Sequence, residues 1–112
     1  MGKDLTKVSQ TVFICNGSSC LKKGADENTL ALREAIKEHQ IHDQTHTVRT
    51  KCTGQCDTGP IVFIHPEGIW YKNVTEAISE QIVSRHLIQN EPLNGYILFK
   101  EGDAIMQNNS ND

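Results

Sequence analysis

Basic runs are missing from this sequence. Its 11 lysines and arginines are scattered among 14 acidic residues, for a net charge of −3. A phosphate backbone is held by clustered Lys and Arg, so nucleic acid is not an expected partner. Long apolar runs are missing too. They reach about four residues, where a membrane-spanning helix needs about 20, so no membrane partner is expected. Met1 to Gln10 is polar and holds no apolar stretch of the secretory kind. The expectation is a reducing compartment, the cytoplasm. No repeat and no interdomain linker divides the 112 residues. One domain over 11–102 is expected, preceded by an arm (1–10) and followed by a polar, disordered tail (103–112).

One further absence concerns the four cysteines, Cys15, Cys20, Cys52 and Cys56. Neither pair has the two intervening residues of a zinc knuckle or of a dithiol redox motif. Structural disulfides are not expected in a reducing compartment, so four thiols there point to metal ligation or redox chemistry.

The chain around them alternates strand and helix signals. Thr11-Val-Phe-Ile-Cys15 is β-branched and aromatic and predicts a buried strand. Asn16-Gly-Ser-Ser19 has loop composition. Asp26 or Asn28 is the expected cap of a helix starting near Thr29, with Leu32, Ala35, Ile36 and His39 on one stripe to about Gln40. His46 to Lys51 predicts a second strand, and Thr53 to Gly59 a loop closed by Pro60. Ile61–Ile64 and Ile69–Tyr71 predict a hairpin turning at Pro66-Glu-Gly68. Asn73 with Glu76 three residues on resembles a capping box for a second long helix ending near Leu87 to Asn90. Gly95–Phe99 is a late apolar segment, either a small strand or a docking arm. This order predicts an α/β, thioredoxin-like fold, a mixed sheet of four to five strands flanked by two long helices.

Each cysteine pair falls at a strand end. If the first two strands run parallel, their C-terminal ends share one sheet edge, where sites of open α/β sheets collect. Four thiolates suit a closed site, with zinc and iron–sulfur clusters as the main choices. Intervening stretches of four and three residues, rich in Gly, Ser and Thr, suit a larger cluster whose sulfurs accept N–H bonds. Structural zinc stays open as the alternative at this point. The spacing departs from plant-type ferredoxins, in which a third cysteine follows the second closely. His39, His42, His46, His65 and His86 are scattered and predict no second metal site. Trp70 and Tyr71 predict hairpin packing. Lys22, Lys23 and Lys51 near the thiols are either solvated charges or a means of orienting an acidic electron-transfer partner.

Three stretches resemble the thioredoxin-like 2Fe-2S ferredoxins, relatives of the small 2Fe-2S subunit of NADH dehydrogenase. They are Val12-Phe-Ile-Cys15 with Gly17 and Cys20, then Cys52-Thr-Gly-Gln-Cys56-Asp-Thr-Gly59-Pro60, then His65-Pro-Glu-Gly68-Ile-Trp70-Tyr71 with Val74-Thr75 and the segment to Pro92. The resemblance implies one 2Fe-2S cluster ligated by Cys15, Cys20, Cys52 and Cys56. It implies a one-electron carrier at low potential, not an enzyme, passing electrons between a reductase and a redox enzyme. The alternatives it implies are a cluster-bearing subunit of a larger NAD(P)H-dependent oxidoreductase and a cluster-sensing or assembly protein. Its partners would be redox proteins, or a second copy in a homodimer. Ten residues before the first strand, instead of a helical extension, favour the free-standing carrier. A thioredoxin-like fold also predicts a cis Gly59–Pro60 bond.

Overall fold

The computed structural model describes residues 4–54 and 58–102. The expected polar tail (103–112) and Cys56, with its neighbours Gln55 and Asp57, lie outside the described residues.

Five strands form one sheet: β1 (Gln10–Cys15), β2 (Thr45–Thr50), β3 (Val62–His65), β4 (Ile69–Tyr71) and β5 (Ile97–Lys100), in the order β2-β1-β3-β4-β5. β1 and β2 run parallel, with Cys15 opposite Thr50. The remaining neighbours are antiparallel. The late apolar segment is thus a strand on β4. The parallel step is what sends the chain through a crossover helix, α2 (Ala25–Glu38).

Strand alternation divides the sheet into two faces. Val12, Ile14, Val62, Ile64, Ile69 and Tyr71 face the helices and are buried with Leu32 and Ile36 of α2. Leu32 and Ile36 lie one helical turn apart, with Ala25, Thr29 and Ala35 completing the buried stripe. Truncating Leu32 to alanine would cost about 2–5 kcal/mol, as for other fully buried leucines. On the opposite face, Phe13, Phe63 and Trp70 are cross-strand partners. Their ring centroids are 5.7 Å and 4.8 Å apart, the spacing at which tilted aromatic pairs attract. The expected hairpin packing of Trp70 is of this kind, while Tyr71 turns into the core.

Four local features differ from the sequence reading. Ser18 and Ser19, expected in a loop, open a short helix, α1 (Ser18–Lys22). α2 begins at Ala25 rather than Thr29, because Gly24 in the left-handed region (φ 99°) turns the chain directly from α1 into it. The cap of α3 (Glu76–Gln81) is Thr75, whose hydroxyl accepts from the Ile78 N–H at 3.2 Å. Asn73, the expected cap, sits at φ 52° in the turn before it. The second long helix then changes pitch, continuing as a π-helical segment from Ile82 to Leu87.

That segment carries His86, fully buried, into the core. The Leu93 N–H donates to Tyr71 Oη at 3.0 Å, and Tyr71 Oη lies 2.6 Å from His86 Nδ1. The Glu67 carboxylate only accepts, so Nε2–H donates to it, and in that neutral tautomer Nδ1 accepts from the phenol. Four polar groups from four segments are thereby satisfied in an apolar surrounding. Burial pushes Tyr71 up to about 12, opposed by the Leu93 N–H and reinforced by the Glu67 charge.

Candidate cluster site

Cys15 ends β1 and is 1 % exposed. Its N–H bonds Ile61 O at 3.0 Å, and the next N–H, of Asn16, bonds Thr50 O at 2.9 Å. These two bonds hold the ends of β1, β2 and the segment entering β3 together. The chain then turns at Gly17 into α1, whose third residue is Cys20, fully buried. Cys15 and Cys20 thus meet in one apolar group with Ala25, Ile61 and Leu98, with Trp70 and Phe99 packed against it.

The second cysteine segment is brought to the first by a glycine. A Cβ built on Gly17 would lie 2.8 Å from Cys52 Cα and 3.0 Å from Cys52 Cβ. Gly17 itself has φ −63°, which any residue adopts. The need for glycine here is therefore one of space: the two cysteine loops touch backbone to backbone. Cys52 is exposed, and its sulfur accepts from the Gly54 N–H at 3.3 Å. Gly54 has φ 88°, a conformation open to glycine at little strain.

The return of the second loop is tied down from the far side. The Asn73 N–H donates to Thr58 O at 2.8 Å and the Val74 N–H to Pro60 O at 3.1 Å. Asn28 of α2, nearly fully buried, donates from Nδ2 to Val74 O at 2.7 Å. The helix after the first cysteine pair is thus connected through Val74 to the loop after the second. The Gly59–Pro60 bond is cis, as expected, and His65–Pro66 is cis as well.

The surroundings of Cys15 lower the pKa of its thiol. Burial pushes its thiol up, but the Gly17 N–H, the Thr53 hydroxyl, the Cys20 thiol and the Thr53 N–H together hold it below the ordinary cysteine value. The Lys51 carbonyl lies 3.6 Å from the same sulfur. Thr53 Oγ1 is buried without an ordinary hydrogen-bond partner among the described residues. Such a hydroxyl costs about 1–3 kcal/mol unless something else accepts from it. Donors aimed at sulfur, small residues in close approach and an orphaned hydroxyl suit a group that carries extra negative charge on its sulfurs. The residues present fit an iron–sulfur cluster on these grounds.

The structure unites part of the expected set. Cys15 and Cys20 are neighbours, and Cys52 lies on the adjoining loop. Among the described residues no three such side chains close around a single ion-sized point. Cys56 lies outside the described residues. Of the residues whose role differs from the sequence reading, Asn28 matters most. Its capping signal was visible, but its use as a strut depends on Val74, 46 positions away. His86 was seen only as one of five scattered histidines, since its partners lie 15 and 19 positions off.

A family model for thioredoxin-like 2Fe-2S ferredoxins matches residues 4–87. A protein from Priestia megaterium, whose name likens it to the 2Fe-2S ferredoxins, is 43 % identical over 84 residues. The match covers 75 % of this chain and 65 % of that relative, so the chain spans just under two thirds of its length. A 2Fe-2S ferredoxin from Clostridium pasteurianum is 33 % identical over 88 residues, covering 71 % of this chain and 86 % of that one. The solved thioredoxin-like 2Fe-2S ferredoxin of Aquifex aeolicus superposes with a TM-score of 0.78 at 28 % identity, covering 86 % of this chain and 96 % of its own. Among the described residues no helix is long and apolar enough to cross a membrane.

Proposed function

Because the chain belongs to the thioredoxin-like 2Fe-2S ferredoxin family, whose members carry one 2Fe-2S cluster and transfer electrons rather than catalyse, we propose that its four cysteines hold that cluster. Cys15 and Cys20 supply the buried thiolates, Cys52 supplies the exposed one, and Cys56 completes the set. The cluster supplies a single-electron couple. The chain supplies thiolates, N–H donors to sulfur and a docking rim.

The contact of Gly17 with Cys52 carries this reading, since it supports the convergence of two loops that the sequence keeps 31 residues apart. The exposure of Cys52, against the burial of Cys15 and Cys20, supports electron exchange through the outer loop. Lys22, Lys23 and Lys51 are exposed beside the thiols and offer an acidic redox partner opposite charge, although the chain is acidic overall. A free-standing carrier in the cytoplasm, accepting from a reductase and donating to a redox enzyme, follows from this reading. A second copy of the chain is the other candidate partner.

Anaerobically purified protein should hold two irons and two sulfides per chain and give an S = 1/2 resonance on one-electron reduction. Cys15→Ser, Cys20→Ser, Cys52→Ser and Cys56→Ser should each alter the resonance or abolish cluster retention. Stoichiometric zinc with no visible absorption would sink the assignment. Gel filtration of native extract separates a small carrier or homodimer from a subunit of a larger complex.

A further inference from the structure

Among the described residues the fold gives the Thr53 hydroxyl no ordinary hydrogen bond. Thr53 lies in the second cysteine loop between Cys52 and Gly54. Its Oγ1 is sealed from solvent. Valine has the same shape and would bury no orphaned donor there. The group that the hydroxyl faces is the Cys15 sulfur, on the other loop.

The chemistry of that sulfur changes when its proton leaves. As a thiol, Cys15 donates toward the Lys51 carbonyl at 3.6 Å. As a metal-bound thiolate it has no proton to give and becomes an acceptor only. The Lys51 carbonyl, also an acceptor, can no longer satisfy it. Thr53 places a hydroxyl donor beside it, and among the described residues that hydroxyl has no other acceptor.

We propose that Thr53 Oγ1 donates a hydrogen bond to the Cys15 sulfur once that sulfur is a cluster ligand, and that this bond raises the reduction potential. The proposal rests on Cys15 being a ligand, as argued above. The direction follows from charge. Reduction adds one electron to the cluster, which makes its ligand sulfurs more negative. A donor fixed beside such a sulfur stabilises the reduced state more than the oxidised one. Thr53 touches the ligand rather than the partner protein, so its effect belongs to the couple itself.

The test is a redox titration of the holoprotein, followed by visible absorption and the S = 1/2 resonance. The variants are Thr53→Val, Thr53→Ala and Thr53→Ser. At a fixed potential, Thr53→Val should lower the ratio of reduced to oxidised protein about tenfold, equivalent to a downward shift of about 59 mV for one electron. Thr53→Ala should shift it in the same direction, and serves if the valine variant loses its cluster. Thr53→Ser, which keeps the hydroxyl, should stay near the parent. An unchanged potential in both hydroxyl-free variants overturns the proposal. So does a shift in Thr53→Ser as large as in Thr53→Val, which would assign the effect to methyl packing. Parent protein that binds no 2Fe-2S cluster, or Cys15→Ser protein with an unaltered resonance, overturns instead the ligand assignment beneath it.

Discussion

Replacing Gly17 by alanine sets one methyl group against the backbone of Cys52. The new Cβ would stand 2.8 Å from Cys52 Cα, 3.0 Å from its Cβ and 3.1 Å from its nitrogen. Carbon atoms in ordinary contact stand about 3.5–4.0 Å apart. The two loops must therefore separate by about 0.7 Å, and none of the three opposing atoms is the end of a flexible side chain. Overpacking of this kind costs about 1–3 kcal/mol. Alanine at a compatible φ returns about 0.4–1 kcal/mol through the unfolded chain, and φ −63° is compatible. The net expectation is a loss of about 1–2 kcal/mol. Holoprotein would be mixed with excess iron chelator, and the decay of its visible absorption timed. If chelator enters when the loops part, the variant should bleach about tenfold faster, since about 1.4 kcal/mol is tenfold in an opening equilibrium. Its urea midpoint should fall as well. A variant as stable as the parent, with unchanged bleaching, would refute the claim that the cysteine loops are held in contact through Gly17.

Asn28→Ala removes the 2.7 Å bond to Val74 O and leaves that buried carbonyl unpaired, at a cost of about 1–3 kcal/mol; an unshifted urea midpoint would contradict the strut. Tyr71, at about 12 in the fold against an ordinary 10, favours folding as the neutral phenol. Its contribution is whole below about pH 10 and is lost as pH rises from about 10 to about 12, so stability should decline across that window. Phenolate absorbance showing every tyrosine ionising near pH 10 in folded protein would contradict this. Trp70 is the sole tryptophan and packs on the group that contains Cys15 and Cys20; its fluorescence should be quenched in holoprotein and recover when the cluster is removed, and equal emission in both would count against the placement of the cluster.

Much of the sheet was legible because strands here carry their burial pattern locally. The β-branched and aromatic run Thr11–Cys15 announces β1 by composition, and the structure adds that Val12 and Ile14 are buried where Thr11 and Phe13 are half-buried. The parallel step to β2 followed from the helical stripe between them, which leaves no room for a hairpin. The helix starts were harder. Gly24 begins α2 through its backbone conformation, with no side-chain cap to see, while Asp26 is drawn off to Arg49 at 3.0 Å and Asn28 to Val74. Residues with capping chemistry were spent on tertiary bonds. α1 is only five residues long, too short for any periodicity to show. In the site, the cysteine spacing announced itself. The roles of Gly17 and Thr53 did not, because a close approach and an orphaned hydroxyl are properties of two loops together.

The π-helical turn at Ile82–Leu87 has a consequence for comparing sequences. Such a turn behaves as one residue inserted into an α-helix, which rotates everything beyond it by roughly 100°. Deleting one residue there would restore even pitch and swing His86 away from Tyr71 and Glu67. A relative with an unbroken helix would be shorter by one at this place. Matching it to this chain without a gap would pair His86 with a residue that points elsewhere, so the buried histidine is best traced by its hydrogen-bond partners rather than by counting.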